Sequence, residues 1–398
     1  MTPSLDDYRW LTSSAAHPWL ARVTEDLAAG VSLTRLTARL RRDLSCVQAH
    51  LVLAQVELRK RAREKFSQAD KMFFTPLGLA QATDEALATY KAARFAEDER
   101  IADLCCGIGG DLMALGDGRA CVGIDRDFVA VHLASVNAAV CGHSSATAVC
   151  RDVTVEAING CSAWHIDPDR RPEGKRTVQA ERFEPPWETV ETLLARCQDA
   201  AVKVAPATSL PADVIGRCQR EWIESRGECR QQVAWFGKLA RDEGSCQATV
   251  IDAAGGPATI IGVYDQPAPV ADSIGPFLYE PNAAVRAARL VGALCRRSGL
   301  AAFAGGRSYL TGENRIRNPL AAGFEVLESL PFDLRRLASA LNRLDIEPVE
   351  IKKRGVEIDP GELRRKLNRH RGQQGVVLIA PVAGRTMAIV AKRFVWPP

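Results

Sequence analysis

Ile101-Ala-Asp-Leu-Cys-Cys-Gly-Ile-Gly-Gly-Asp-Leu-Met-Ala-Leu115 is the stretch that decides how this chain folds. From Ile101 to Cys106 it is apolar apart from Asp103, the pattern of a strand buried on both faces. Gly107, Gly109 and Gly110 break the strand, and helical spacing resumes with Leu112 and Leu115. A strand, a glycine turn and a helix start bring backbone close to a ligand and aim free N–H groups at it. A carboxylate inside such a strand, Asp103, is costly to bury unless something binds it.

The flanking sequence repeats the theme. Ala120-Cys-Val-Gly-Ile124 reads as a second strand, closed by Asp125, which lies 22 positions after Asp103. An acid at that place can accept from both hydroxyls of a ribose. Ala146-Thr-Ala-Val-Cys150 reads as a third strand with Asp152 beyond it, and Ala163-Trp-His-Ile166 as a fourth, running into Asp167-Pro-Asp-Arg-Arg171. Short apolar runs that end in acids, with helix-compatible segments between the first of them, imply a doubly wound parallel α/β sheet. Ligands of such sheets sit at the strand carboxyl ends, where all these acids lie. Any one acid alone reads equally well as a helix cap or turn residue.

Three nucleotide turns fit glycines in this position. No Gly-Lys-Ser/Thr follows, which excludes a P-loop. Gly107 and Gly109 begin a dinucleotide fingerprint, but Leu112 stands where its third glycine belongs. Asp103-x-Cys105-x-Gly107-x-Gly109 resembles the first motif of the Rossmann-like methyltransferases that use S-adenosylmethionine (SAM), with Cys105 in place of the usual first glycine. The resemblance implies SAM held by Asp103, Cys105, Gly107, Gly109, Gly110 and Asp125, with Asp152 on the adenine amino group. Upstream, Lys71-Met-Phe-Phe-Thr-Pro76 places Thr75 as an N-cap and Pro76 as the first residue of a helix expected from Leu77 to Phe95. In related methyltransferases this segment covers the cofactor, which implies Phe74 and Thr75 at the SAM site. Core packing is the competing reading for Phe73 and Phe74.

At 398 residues the chain is long enough for two or three domains. We read an N-terminal helical region over 1–95, the sheet domain over 96–265, and a small α+β domain over 277–398. In the first, the basic run Arg59 to Lys65 suits a helix C-terminus. In the second, Glu221-Trp-Ile-Glu224 reads as a strand, Gly227 to Leu239 as helical, and 248–251 with 258–263 as a hairpin. In the third, helices are expected over 283–298, 334–344 and 361–369, and strands over 324–330, 349–353, 376–380 and 387–392. Residues 331–398 carry 14 basic and 7 acidic side chains, against a net charge of only +4 for the whole chain. A basic tail on a slightly acidic body points to an anionic partner, nucleic acid first, or to a solvated basic face. The twelve cysteines include no C-x-x-C pair, and His132, His143 and His165 are scattered, so no metal is implied. Free cysteines in strands, an acidic start without an apolar leader, and no run of membrane-spanning length read as a cytoplasmic protein.

Amino-methyltransferases carry Asp/Asn-Pro-Pro-aromatic at the end of the fourth strand, where the acid and a carbonyl aim the amine. Here Asp167 and Pro168 match, while Asp169 and Arg170 replace the second proline and the aromatic. The match implies Asp167, Pro168 and Arg170 as catalytic. Base stacking then falls to Arg170, Arg171, Trp187 or Trp164, and Arg170 and Arg171 can instead grip phosphates. No cysteine follows Pro168, which sets aside a cytosine-C5 mechanism. The C-terminal element order and Ile351-Lys-Lys-Arg-Gly355 resemble the THUMP-like domain found after bacterial methyltransferase domains. THUMP domains bind RNA, so Lys352, Lys353 and Arg354, with Arg171 and Trp187, are implied as RNA contacts. The whole chain is similar to the THUMP-like-domain SAM-dependent methyltransferases of actinobacteria. That similarity implies methylation of a base nitrogen of tRNA or rRNA. The residues alone leave open an RNA-binding protein with a catalytically weak SAM domain, or a methyltransferase acting on protein or a small molecule.

Overall fold

The computed structural model describes residues 3–97, 100–170, 177–252, 256–303, 306–367 and 372–394. The chain forms two compact units, Met1–Cys218 with Val233–Glu243, and Gln219–Gln232 with Gly244–Pro398.

The first unit opens with helices α1 (Leu5–Thr12), α2 (His17–Ala28), α3 (Leu33–Leu40) and α4 (Cys46–Ala62). Ser4 with Asp7, and Ser45 with Gln48, close capping boxes that satisfy N–H groups the helices cannot. The single helix expected from Leu77 to Phe95 is in fact two, α5 (Pro76–Gln81) and α6 (Glu85–Ala92). The cause is local capping: Ala82 turns to ψ 135°, and Asp84 accepts the Leu87 N–H and starts a new helix. The sheet elements follow as β1 (Ile101–Leu104), α7 (Gly110–Leu115), β2 (Cys121–Asp125), α8 (Phe128–Cys141), β3 (Ala146–Cys150), β4 (Ala163–Ile166), α9 (Trp187–Arg196), β5 (Ala200–Val204) and the short α10 (Ala212–Ile215). β1 pairs in parallel with β2 and β4, β2 with β3, and β4 with β5. β1, β4 and β5 are buried along their whole length, as their apolar runs require.

Next come β6 (Gln219–Ser225), β7 (Glu228–Phe236), β8 (Cys246–Ile251) and β9 (Pro257–Gly262). Among the described residues the strand order is β3-β2-β1-β4-β5-β7-β6-β8-β9, a mostly parallel sheet whose order reverses between β1 and β4. Reversal points of this kind open a crevice at the strand carboxyl ends. The segment Gly227 to Leu239, read as helical, is mostly the strand β7. Arg226 and Gly227 both hold positive φ (54° and 77°), the two central residues of a type I′ hairpin turn. The glycine therefore reverses the chain instead of opening a helix. The expected hairpin of β8 and β9 is antiparallel.

The second unit continues with β10 (Val270–Ala271), β11 (Phe277–Pro281), α11 (Ala283–Ala287), α12 (Val291–Ser298), β12 (Ala301–Phe303), β13 (Gly306–Gly312), β14 (Ala321–Pro331), α13 (Leu334–Arg343), β15 (Ile346–Lys353), α14 (Pro360–Leu367), β16 (Gln373–Val382) and β17 (Arg385–Arg393). These strands order as β10-β12-β13-β11-β14-β17-β16-β15. The helix expected over 283–298 is broken where Arg289 enters left-handed φ (54°), and the strands β11, β12 and β13 were not anticipated. Alternation divides β16 and β17: Val377, Ile379, Ala388 and Val390 pack with Leu337, Leu341, Leu363 and Leu367 of α13 and α14, while Val376, Leu378 and Ile389 pack on the opposite side with Phe324. No described helix is long and apolar enough to cross a membrane.

Candidate functional site

The β1–α7 connection is built on left-handed backbone. Cys105, Gly107 and Gly109 hold φ of 57°, 54° and 91°. A side chain on Gly107 would meet nothing within 4 Å, so the backbone there is open to approach. Gly109 is tight for another reason: a Cβ would lie 3.3 Å from the Ala134 Cα of α8. Gly110 is tighter still, 2.9 Å from the Thr83 carbonyl oxygen. Asp125, at the end of β2, accepts the Gly107 N–H (2.9 Å) and the Asp127 N–H (2.9 Å), joining the turn to the second strand. Asp152 lies exposed beyond β3.

The segment before α5 reaches the same turn. Asn137 brackets Phe73 through both its N–H (2.8 Å) and its carbonyl (3.0 Å) and also donates to the Ile108 carbonyl (3.1 Å). Phe74 is buried, its N–H on Gln55 and its ring 6.0 Å from that of Phe66. Thr75 caps α5 by accepting the Gly78 N–H. Gly78 presses against Ile108, where a Cβ would be 2.6 Å away. Phe74 is thus a core residue, and Thr75, half-buried, is the member of the pair nearer the surface.

Beneath the turn lies a chain of buried polar groups that the sequence did not disclose. Period-two alternation puts Asp103, His165 and Lys203 on one face of β1, β4 and β5, and the register sets Asp103 beside His165. The His165 Nδ1 lies 2.8 Å from Asp103 Oδ1, and its Nε2 3.2 Å from Lys91 Nζ. An ammonium only donates, so Nε2 accepts and Nδ1–H points to Asp103. Lys91 Nζ pairs with Asp111 Oδ1 (2.7 Å), and Thr83 donates to Asp111 Oδ2 (2.6 Å). Lys203 Nζ donates to Thr83 Oγ1 (3.0 Å) and to Asp167 Oδ2. The side chains of Lys91, His165 and Asp103 are each 1% exposed. Burial pushes Lys91 below an ordinary lysine, against the pull of Asp111. Burial alone would raise Asp111, but Lys91, His165 and Lys203 hold it well below the usual carboxylate range. Burial would likewise lower Lys203, yet Asp167 and Asp111 keep it above its ordinary value. Burial raises Asp103, and its Oδ2 has no hydrogen-bond partner.

Asp167 is the end of this chain nearest to solvent, its side chain 26% exposed. Pro168 behind it is buried. Asp169 and Glu184 exchange backbone hydrogen bonds (2.8 and 2.9 Å), and Arg126 forks onto Glu184, so the loop after β4 is pinned at its return. Arg170 is half-buried, and Arg171 lies outside the described residues. The two tryptophans proposed for stacking are both core residues. Trp164 is fully buried with its indole N–H on the Cys197 carbonyl (2.9 Å), and Trp187 is buried with its N–H on Glu191 (3.0 Å). Burial, then Asp125, Asp167 and Asp103, push the Cys105 thiol well up, which leaves it protonated and a poor nucleophile.

In the C-terminal unit the three cations named from sequence differ. Lys352 pairs with Glu280 (2.7 Å) and Glu350 (3.2 Å), and Arg354 with Glu280 (2.7 Å), while Lys353 is exposed. Arg335 and Arg336 of α13 and Arg364 and Arg365 of α14 are exposed on helices whose buried leucines, Leu337, Leu341, Leu363 and Leu367, pack on the sheet. Nothing in the sequence separated these arginines from the paired cations.

Comparison with known proteins accords with this geometry. The family described as THUMP domain-like matches residues 321–393. Two Mycobacterium tuberculosis proteins, each named an uncharacterised S-adenosylmethionine-dependent methyltransferase, are 32% identical over 333 residues, covering 81% of this chain and 89% of theirs. The crystal structure of a candidate methyltransferase from Porphyromonas gingivalis superposes with a TM-score of 0.72 at 19% identity, over 88% of this chain and 92% of that one, and so shares the fold. The chain belongs to the S-adenosylmethionine-dependent methyltransferases, in a form that carries a THUMP-like domain.

Proposed function

We propose that this methyltransferase acts on a base nitrogen of RNA, tRNA or rRNA, with Asp167 accepting the hydrogen bond of the reacting amine. The observation that carries the reading is Asp167 itself: a partly exposed carboxylate at the carboxyl end of β4, followed by Pro168. An acceptor there orients an amine so that its lone pair faces the methyl group. The high-lying Cys105 thiol argues against covalent attack on a base carbon.

The residues fit SAM. Gly107 leaves open space at a left-handed turn, and the Asp125 carboxylate adjoins it. In this reading Cys105, Gly107, Gly109 and Gly110 shape the cradle, Asp125 takes the ribose hydroxyls, Asp152 the adenine amine, and Thr75 borders the site. Asp103 and Phe74 act from behind, Asp103 through His165 and Phe74 through packing. When bound, SAM supplies an electrophilic methyl for in-line displacement; the protein supplies alignment and a dry site. With Trp164 and Trp187 in the core, Arg170 is the described side chain of that set left to stack on a base or hold a phosphate.

For RNA docking we favour the exposed arginines of α13 and α14, with Lys353, over Lys352 and Arg354, whose charges Glu280 already engages. The test is label transfer. RNA and protein fractions from a strain lacking the gene are incubated with the enzyme and methyl-labelled SAM, then digested. Label on the base of one nucleoside supports the reading; label on a ribose, or in protein, overturns it.

A further inference from the structure

We infer that Lys203 is a positioning residue of this site: its ammonium fixes the Asp167 carboxylate, and Thr83, Asp111 and Lys91 brace that ammonium from below. The inference rests on reading Asp167 as the substrate-facing acid and assigns roles to four side chains that reading leaves idle.

The geometry divides the carboxylate in two. Lys203 holds Oδ2, whereas Oδ1 has no protein partner among the described residues, so one oxygen is anchored and the other is offered. The anchor is itself anchored. Lys203 donates to Thr83, which donates to Asp111, which is paired to Lys91. Each link joins a different element: β5, the α5–α6 connection, α7 and α6.

Packing does not explain a lysine here. Its strand neighbours Val202 and Val204 are fully buried in the apolar core on the other face, and an apolar residue would suit the interior at least as well. A buried ion pair contributes little net stability against well-packed hydrophobic groups. What it does contribute is a fixed direction, because breaking it strands a desolvated charge. A carboxylate free to rotate would lose the near-attack alignment on which methyl transfer depends.

The test compares wild type, K203M, D167N and the K203M/D167N double variant. Single-turnover methylation is measured on the labelled RNA fraction, with SAM Kd by calorimetry and Tm alongside. K203M should lose at least about 10-fold in rate while SAM Kd stays within about threefold, because misplacement harms alignment more than cofactor binding. The double variant should be no slower than D167N, since Lys203 acts through Asp167. Additive losses, or a wild-type rate in K203M, overturn the inference. A wild-type rate in D167N instead overturns the reading of Asp167 beneath it. Where K203M folds poorly, T83V removes the brace alone and should show a smaller loss with the same non-additivity. A crystal structure needs no substrate: K203M should leave Asp167 in more than one rotamer over an unmoved backbone. A single unchanged rotamer overturns the inference.

Discussion

The two faces of β1, β4 and β5 come from alternating residues of the same strands, yet they do opposite things. On one face Trp164, Ile166, Val202 and Val204 enter a continuous apolar core. On the other, Asp103, His165 and Lys203 join Lys91, Thr83 and Asp111 in a buried polar chain that ends at Asp167. Fully burying a large apolar side chain is worth about 1.5–3 kcal/mol. Desolvating each charge costs several kcal/mol, recovered only through close pairing. One face therefore contributes most of the stability. The other stays near break-even and yields a rigid, charged floor under the strand ends. Such a floor is what a site that aligns its substrate requires.

The largest expected effect lies on the apolar face. W164A should destabilise the protein by about 3–5 kcal/mol, by loss of transferred area and creation of a cavity. A loss below about 1 kcal/mol in urea unfolding would break the division between the faces. On the polar face, D111N leaves Lys91 without its charge partner and should cost about 3 kcal/mol near neutral pH. Its pH dependence has a definite sign. Asp111 is held well below its unfolded pKa, so its contribution is present above about pH 4 and lost as pH falls through the acid range. The stability gap between wild type and D111N should therefore narrow below pH 4; a constant gap would mean that the pair is not ionic.

A smaller effect is expected where the polar floor meets the turn. D125A removes the acceptor for Gly107 and, in our reading, for the ribose, and should weaken SAM binding roughly 10- to 100-fold with little change in Tm. Unchanged affinity in calorimetry would move the ribose elsewhere. The smallest effect concerns the second unit, where Lys352 and Arg354 are paired and the arginines of α13 and α14 are exposed. R364Q/R365Q should weaken RNA binding and make its salt dependence shallower, by about one unit of slope per lost phosphate contact. K352Q, already matched to Glu280, should change the slope less. The reverse order would return the docking surface to β15.

Much of the architecture could be read along the chain. The glycine turn, the parallel strands that end in acids, the β8–β9 hairpin and the later helices all rest on local periodicity or turn chemistry. The misreadings were local as well. Gly227 to Leu239 reads as helical because the type I′ turn that starts β7 needs positive φ at Arg226 as well as at Gly227, which composition does not advertise. Arg289 broke a helix in the same way.

The site divides along the same line. The positions of Asp103, Gly107, Asp125 and Asp167 in a strand, in the glycine turn and at two strand ends were legible because their own neighbours define those elements. The burial of Trp164 is not legible because a strand's period says that two faces exist, not which one is dry, and that of Trp187 because the Pro-rich run before it does not show that it opens a helix packed on the core. Lys91, Thr83, Asp111, His165 and Lys203 carry no local signal of their pairing. They lie up to 120 positions apart and meet only when four strands and helices close over them. The sequence by itself determined the frame, because backbone geometry responds to nearest neighbours. Only the tertiary structure decided how the charges pair, because that requires a low-dielectric interior which no single segment builds alone.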